Sequence, residues 1–217
     1  MNFLANKKVL VTAGPTYEPI DPVRFIGNRS SGKMGYAIAE ELAKQGAEVI
    51  LVSGPVHLLI NNPKIKVINV ETASEMYDAC HAHFKECDIA IMTAAVADYT
   101  IAKPSAIKIK KKESTLTLEL IKTKDILKSL GKIKSPKQIL VGFALETNNE
   151  EANALEKLKK KNLDFIVLNS LQDKGAGFQH DTNKVSILDK YNKLTKFELK
   201  AKAAVAKDIV TYLKQFV

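Results

Sequence analysis

A chain of 217 residues with 46% hydrophobic residues can bury one large α/β core, and with no Trp and 6% aromatics that core must be aliphatic. Lys and Arg exceed Asp and Glu by 33 to 24, a net charge of +9; such an excess suits nucleic acid, an anionic membrane or phosphorylated small molecules, and an AT-rich genome would produce part of it. Cys80 and Cys87 form no CxxC or Cys/His metal spacing, the opening MNFLANKK lacks a signal-peptide core, and no apolar run reaches membrane-spanning length, so a soluble cytoplasmic protein without a membrane partner is expected.

In chain order, KKVLVTA reads as a first strand and 33–45 as a helix stopped by Gly46. AEVILVSG and KVINV are the next strands, followed by a helix over 73–86 with Thr72 or Ser74 as its N-cap. DIAIMTAA is a fourth strand. QILVGFAL and DFIVLN are two more, separated by a helix over about 149–160. These strands are continuous apolar runs, the pattern of a parallel sheet covered on both faces. Residues 107–121 and 184–198 instead alternate with period two across polar turns at Glu113-Ser114 and Tyr191-Asn192, and read as β-hairpins. A helix over about 201–215 closes the chain. The expectation is a single α/β domain over 1–217, Rossmann-like and three-layered, with a mostly parallel sheet and two hairpin excursions.

Residues 14–35, GPTYEPIDPVRFIGNRSSGKMG, lie between the first strand and first helix, where α/β proteins hold phosphates on backbone N–H groups and the helix dipole. Gly27, Gly32 and Lys33 have P-loop spacing, but Met34 stands where a Mg²⁺-binding hydroxyl belongs and 18–26 intervene after the strand. Lys33 and Gly32 therefore begin a helix, and the loop is not a P-loop. Neither G-x-G-x-x-G after the first strand nor an acidic residue ending the second is present, which argues against an NAD(P)-dependent Rossmann oxidoreductase. MTAAVADY (92–99) ends the fourth strand, where ligands of open α/β sheets bind. Its alanines either fill core or let a ligand reach backbone groups, and Asp98 either caps a helix or accepts ribose hydroxyls. Lys108, Lys110 and Lys112 share a strand face, as a solvated edge or as a cationic flap. Lys157 and Lys161 share a helix face, complementing its dipole or contacting phosphates. A nucleic-acid-binding module is disfavoured because 107–121 contains no Phe, Tyr or Trp for stacking.

Taken in order, VTAGPTYEPIDPVRFIGNRSSGKMG, TAAVADY, the Lys-x-Lys-Lys run at 108–111, GFALETN and KNLDFIVLN resemble the bacterial phosphopantothenoylcysteine synthetases of coenzyme A biosynthesis, across nearly the whole chain. The resemblance implies a ligase that joins 4′-phosphopantothenate to cysteine, with CTP as co-substrate and Mg²⁺ on the triphosphate; ATP is the alternative nucleotide. It implies that Asn28 stabilises an acyl-nucleotide intermediate, and that Arg24, one turn away if the segment is helical, pairs an acidic substrate group. Met92, Thr93, Ala94 and Phe143 would line the nucleotide pocket and Asp98 would contact the ribose. Lys108 would reach the nucleotide from a mobile flap, and Lys157 and Lys161 would bind phosphates. Where the family has Asn-Pro-Asp-Ile this chain has Thr123-Lys124-Asp125-Ile126, so the nucleotide contacts of Lys124, Asp125, Ile126 and Leu127 are carried over without the proline that would start a helix. No carboxylate pair suggests metal ligands, so the phosphates are expected to supply most of them. The resemblance further implies a homodimer through 107–121 or 184–198, and a phosphopantothenoylcysteine decarboxylase as a fused or separate partner.

Overall fold

The structure, a computed structural model, describes residues 2–111, 114–146, 150–170 and 180–217. It opens with β1 (Lys8–Ala13), whose Val9, Leu10, Val11 and Ala13 are wholly buried. A small hairpin follows, β2 (Tyr17–Pro19) and β3 (Phe25–Gly27), with the Tyr17 and Phe25 rings stacked at 3.8 Å. Next come α1 (Lys33–Lys44), β4 (Glu48–Ser53), β5 (Ile65–Asn69), α2 (Ala73–Phe84) and β6 (Ile89–Met92). β7 (Tyr99–Ile101) and β8 (Leu120–Lys122) form an antiparallel arm. α3 (Ile126–Ile133), β9 (Ile139–Glu146), α4 (Glu150–Lys160) and β10 (Phe165–Ser170) restore the alternation. The chain ends with β11 (Thr182–Asn183), β12 (Val185–Asp189), β13 (Leu194–Lys196), β14 (Lys200–Ala201) and α5 (Lys202–Leu213).

Among the described residues, eight strands make the main sheet in the order β13-β12-β10-β9-β6-β1-β4-β5. It is parallel from β5 to β10 and antiparallel at β12 and β13. Within each strand the side chains alternate between two cores. Val9, Val11, Val141 and Val167 pack under α1 and α5 with Ile38, Leu42, Val205 and Ile209. Leu10, Ala90, Leu140 and Ile166 pack under α2, α3 and α4 with Met76, Phe84, Leu130 and Leu158. Each large aliphatic buried this way stabilises the fold by about 1.5–3 kcal/mol relative to exposure. The three-layer, Rossmann-like architecture expected from the sequence is the one observed.

Local chemistry explains the helix starts. Thr72 caps α2 in a capping box: its hydroxyl accepts from the Glu75 amide (3.2 Å), and the Glu75 carboxylate accepts from the Thr72 amide (3.1 Å). α3 starts without a proline because Asp125 caps it, accepting from the Lys128 amide at 2.9 Å. Lys124 precedes that cap, so the departure from Asn-Pro-Asp-Ile leaves the helix start intact. α1 begins differently. Gly32 sits at φ 75°, a left-handed conformation that favours glycine, and among the described residues no side chain caps the first turn.

Several details differ from the sequence reading. Residues 184–198 do hold a hairpin, β12–β13, turning where Asn192 adopts φ 63°, but it extends the main sheet through β10 rather than leaving it. In 107–121 the expected turn residue Glu113 lies outside the described residues, as does Lys112. Residues 107–111 and 114–119 carry no strand, and 120–122 pairs with 99–101 instead. Period-two alternation does not say which strand is the partner. The segment around Arg24 is a hairpin turn, not a helix. Helix α3 was not among the expected elements.

Cys80 and Cys87 lie in the α2-side core, 0% and 3% exposed. Burial pushes the Cys80 thiol up to about 12 and the Cys87 thiol up to about 11. Ellman's reagent at pH 8 is expected to modify neither in the native protein and both in guanidinium. Stoichiometric native labelling would contradict the packing. Among the described residues no helix is long and apolar enough to cross a membrane.

Candidate functional site

β1 and β6 are neighbours, but the chain leaves β1 for β4 on one side and β6 for β9 on the other. The loops after their carboxyl ends therefore diverge, which is where open α/β sheets bind ligands. A cavity of about 730 Å³ opens at that point. Its floor is the loop after β6. The Thr93 hydroxyl donates to the Thr12 carbonyl (2.5 Å), the Ala94 amide to the Thr12 hydroxyl (3.1 Å), the Ala95 amide to the Gly14 carbonyl (2.9 Å) and the Ala97 amide to the Thr16 hydroxyl (2.9 Å). These bonds fix the backbone of 93–97, and the alanine side chains leave it open to a ligand. Thr93 belongs to this loop and not to the strand, since β6 ends at Met92.

Asn28 joins this floor from the end of β3. Its side-chain amide donates to the carbonyls of Ala95 (2.9 Å) and Val96 (3.2 Å), and its Oδ1 takes no hydrogen bond among the described residues. The first turn of α1 forms the adjacent wall. A Cβ on Gly35 would lie 2.5 Å from Thr93 Oγ1 and 2.6 Å from Ala13 Cβ, so the helix can approach β1 this closely only with glycine there. That first turn, without a side-chain cap among the described residues, lines a cavity edge together with Ser30 and Ser31.

Across the cavity stand Lys124, Asp125, Ile126 and Leu127, with Phe143 from β9, Lys157 from α4 and Lys161 just past its end. Lys161 pairs with Asp125 at 2.9 Å. Burial works against the charge of Asp125, but the Lys128 amide and the Lys161 ammonium outweigh it and hold the carboxyl below its ordinary pKa. The Lys124 ammonium lies 4.6 Å from the centre of the Tyr77 ring. Asp98 is exposed at the rim and its carboxylate accepts no hydrogen bond among the described residues. Among the described residues, then, six lysines and two carboxylates line the cavity, a balance suited to a polyanion.

Twelve of the fourteen candidate residues line this cavity: Asn28, Met92, Thr93, Ala94 and Asp98, the run Lys124, Asp125, Ile126 and Leu127, and Phe143, Lys157 and Lys161. Arg24 and Lys108 do not. Arg24 pairs with the buried Asp21 instead, and Lys108 is exposed. The far end of the cavity was missed by sequence reasoning. There Lys33 pairs with Asp181 at 2.5 Å, and Lys202, 8% exposed, lies at the start of α5 near Asn169 and Asn183. Burial, with Lys33 close by, lowers the Lys202 pKa. Asn169 Oδ1 is buried and has no hydrogen-bond partner among the described residues. Lys202 reads as one surface lysine among Lys200 and Lys207, and only tertiary packing separates it from them. Among the described residues no three His, Cys, Asp or Glu side chains cluster to hold a metal.

Fold and cavity together define a Rossmann-like α/β protein with a lysine-lined site at the sheet's switch point. The chain belongs to the family of the DNA/pantothenate metabolism flavoprotein C-terminal domain, which matches residues 4–216. It is 55% identical over 207 residues to a cysteine/cysteine sulfinic acid decarboxylase of an unknown prokaryotic organism, covering 95% of this chain and 58% of that one. It is 48% identical over 209 residues to the coenzyme A biosynthesis bifunctional protein CoaBC of Bacillus subtilis, covering 95% and 51%. Among solved structures, the C-terminal domain of a CoaBC protein is similar with a TM-score of 0.84 and 42% identity, covering 99% of this chain and 97% of that one. The chain thus spans about half the length of the curated relatives it matches.

Proposed function

We propose that this chain is the phosphopantothenate–cysteine ligase of coenzyme A biosynthesis, and that it uses CTP with Mg²⁺ on the triphosphate. The observation that carries the proposal is the cavity built on the 92–99 loop, in a chain 48% identical to a CoaBC protein. A carboxylate is a poor electrophile, so it must first gain a leaving group. A carboxylate oxygen of 4′-phosphopantothenate attacks the α-phosphorus of CTP, and pyrophosphate leaves. The cysteine amine then attacks the acyl carbon of the resulting acyl-cytidylate, the bond to CMP breaks, and the amine gives up a proton to solvent. Negative charge grows first on phosphoryl and then on acyl oxygen, where cations and donors stabilise it.

The residues can be assigned to these steps. The backbone of 93–96 and the Phe143 ring hold the nucleoside, and Asp98 accepts from ribose hydroxyls. Lys157 and Lys161 hold phosphates, with Lys161 exchanging Asp125 for a phosphate oxygen. Asn28 sits beside the acyl-phosphate linkage and can turn an N–H from a loop carbonyl to it. Mg²⁺ would be held mainly by the phosphates of the nucleotide, which it would neutralise. Lys108 lies on a segment outside the cavity, which suits action across a homodimer. A phosphopantothenoylcysteine decarboxylase, fused or separate, would consume the product.

The test is pyrophosphate release with phosphopantothenate and cysteine present, compared between CTP and ATP. Release with CTP and amide product together support the proposal. Turnover with ATP in place of CTP would change the nucleotide, and no amide product with either would overturn the ligase reading.

A further inference from the structure

Asp21 and Arg24 stand outside the cavity, yet they grip the lysine-bearing segment at one point. Asp21 is 3% exposed. Its Oδ1 accepts from the amides of Val23 (2.9 Å) and Arg24 (3.0 Å), which shapes the β2–β3 turn. Its Oδ2 accepts from Arg24 Nε (3.1 Å), from Arg24 Nη2 and from the Ile109 amide (3.0 Å). Arg24 Nη2 donates in turn to the Ile109 carbonyl at 2.9 Å. Both backbone groups of Ile109 are therefore satisfied by side chains, as a neighbouring strand would satisfy them, although no strand runs through 107–111. One further tie lies just upstream, where the Ser105 amide donates to the Ile20 carbonyl at 2.9 Å. Lys108 and Lys110 flank Ile109 directly and are exposed.

We propose that Asp21 and Arg24 are positioning residues that clip the backbone of Ile109 and thereby set the reach of Lys108. The inference rests on the ligase reading, in which Lys108 contacts the nucleotide. A turn-shaping role for Asp21 needs only its Oδ1. The ties from Oδ2 and from the guanidinium fork to Ile109 serve the segment, not the turn. The guanidinium hydrogens already engaged there are also why Arg24 acts through the segment rather than as a cation facing the cavity. A lysine cannot reproduce the fork, because it is a point charge without two fixed parallel donors.

Two readouts separate the clip from its consequence. The first is native-state tryptic cleavage after Lys108, Lys110 and Lys111, followed by mass spectrometry of the full chain. Arg24→Gln and Arg24→Lys are both expected to accelerate it at least about tenfold, the scale of one lost charge-assisted hydrogen bond. The second is a double-mutant cycle on the rate of amide formation. Lys108→Gln and Arg24→Gln should each slow turnover, and the double variant should be no slower than Lys108→Gln alone, because Arg24 acts through Lys108. Unchanged cleavage would overturn the clip. Independent, multiplying losses would overturn the positioning role, as would an Arg24→Lys variant of wild-type rate. A Lys108→Gln variant as active as wild type also overturns it, while leaving the ligase reading standing. A wild-type protein that makes no amide product with CTP or ATP is a different result, and sinks both.

Discussion

Asn28→Asp is expected to slow amide formation by about 10²–10³-fold, the range measured when one donor to a developing oxyanion is removed. Two effects act together. The side-chain amide now donates to the Ala95 and Val96 carbonyls, and a carboxylate there would face two oxygens with no proton to offer. In the proposed ligase reaction the new charge would also lie beside the phosphoryl and acyl oxygens that become more negative, repelling both. The protein should stay folded, because Asn28 is exposed and the floor of the cavity keeps its four threonine and glycine ties. Rates of amide formation alongside thermal melts of wild type and variant check this. A variant that makes product at the wild-type rate would show that Asn28 only ties loops together.

The largest effect on stability is expected away from the cavity, at Asp164. This residue is 3% exposed and precedes β10. Its carboxylate meets Lys134 at 2.5 Å, Lys190 at 2.9 Å and the Leu140 amide at 2.8 Å. The Lys134 side chain is itself only 9% exposed. Asp164→Ala would leave that ammonium buried without its counter-charge and the Leu140 N–H without its side-chain acceptor. Breaking a buried pair in this way costs about 3–5 kcal/mol, a lowering of the melting temperature of about 6–20 °C for a chain of this length. The Lys190 contact is half exposed and adds little. Its sign with pH is nevertheless fixed: hydrogen bonding to Asp164 raises the Lys190 pKa above 10.5, so that contribution is complete below the ordinary lysine value and fades as pH rises through the folded one. Melts across pH 6–10 should therefore show a constant deficit. A variant within 1 °C of wild type would contradict the packing at this corner.

The parallel core was legible because its strands are buried on both faces. A run such as Val9, Leu10 and Val11, all at 0% exposure, has no polar alternation to confuse with an edge strand. The 92–99 loop was legible as a ligand-binding strand end of an open α/β sheet, whereas Asn28, Phe143 and the run 124–127 came from the family resemblance alone. The arm of β7 and β8 was not. Its strands are separated by 102–119, and alternation within 107–121 names no partner for either half. Helix α3 was hidden because its start depends on one carboxylate, Asp125, bonding the Lys128 amide, where the sequence pattern pointed to a missing proline. Lys202 and Arg24 show the remaining limit. One is a helix-start lysine that packing buries, and the other a cation whose charge is matched by a neighbour three residues earlier in the chain. Neither relation leaves a periodic trace.

In the proposed reaction the cavity activates a carboxylate by its attack on the α-phosphorus of a nucleotide. Phosphopantothenate carrying ¹⁸O in its carboxylate tests it most directly, with CTP, Mg²⁺ and cysteine, by mass spectrometry of the products. One labelled oxygen should appear in CMP, because the oxygen that bridged acyl and phosphoryl groups leaves with the nucleotide when the amine attacks. Label in inorganic phosphate with release of CDP, or unlabelled CMP beside amide product, would contradict the account.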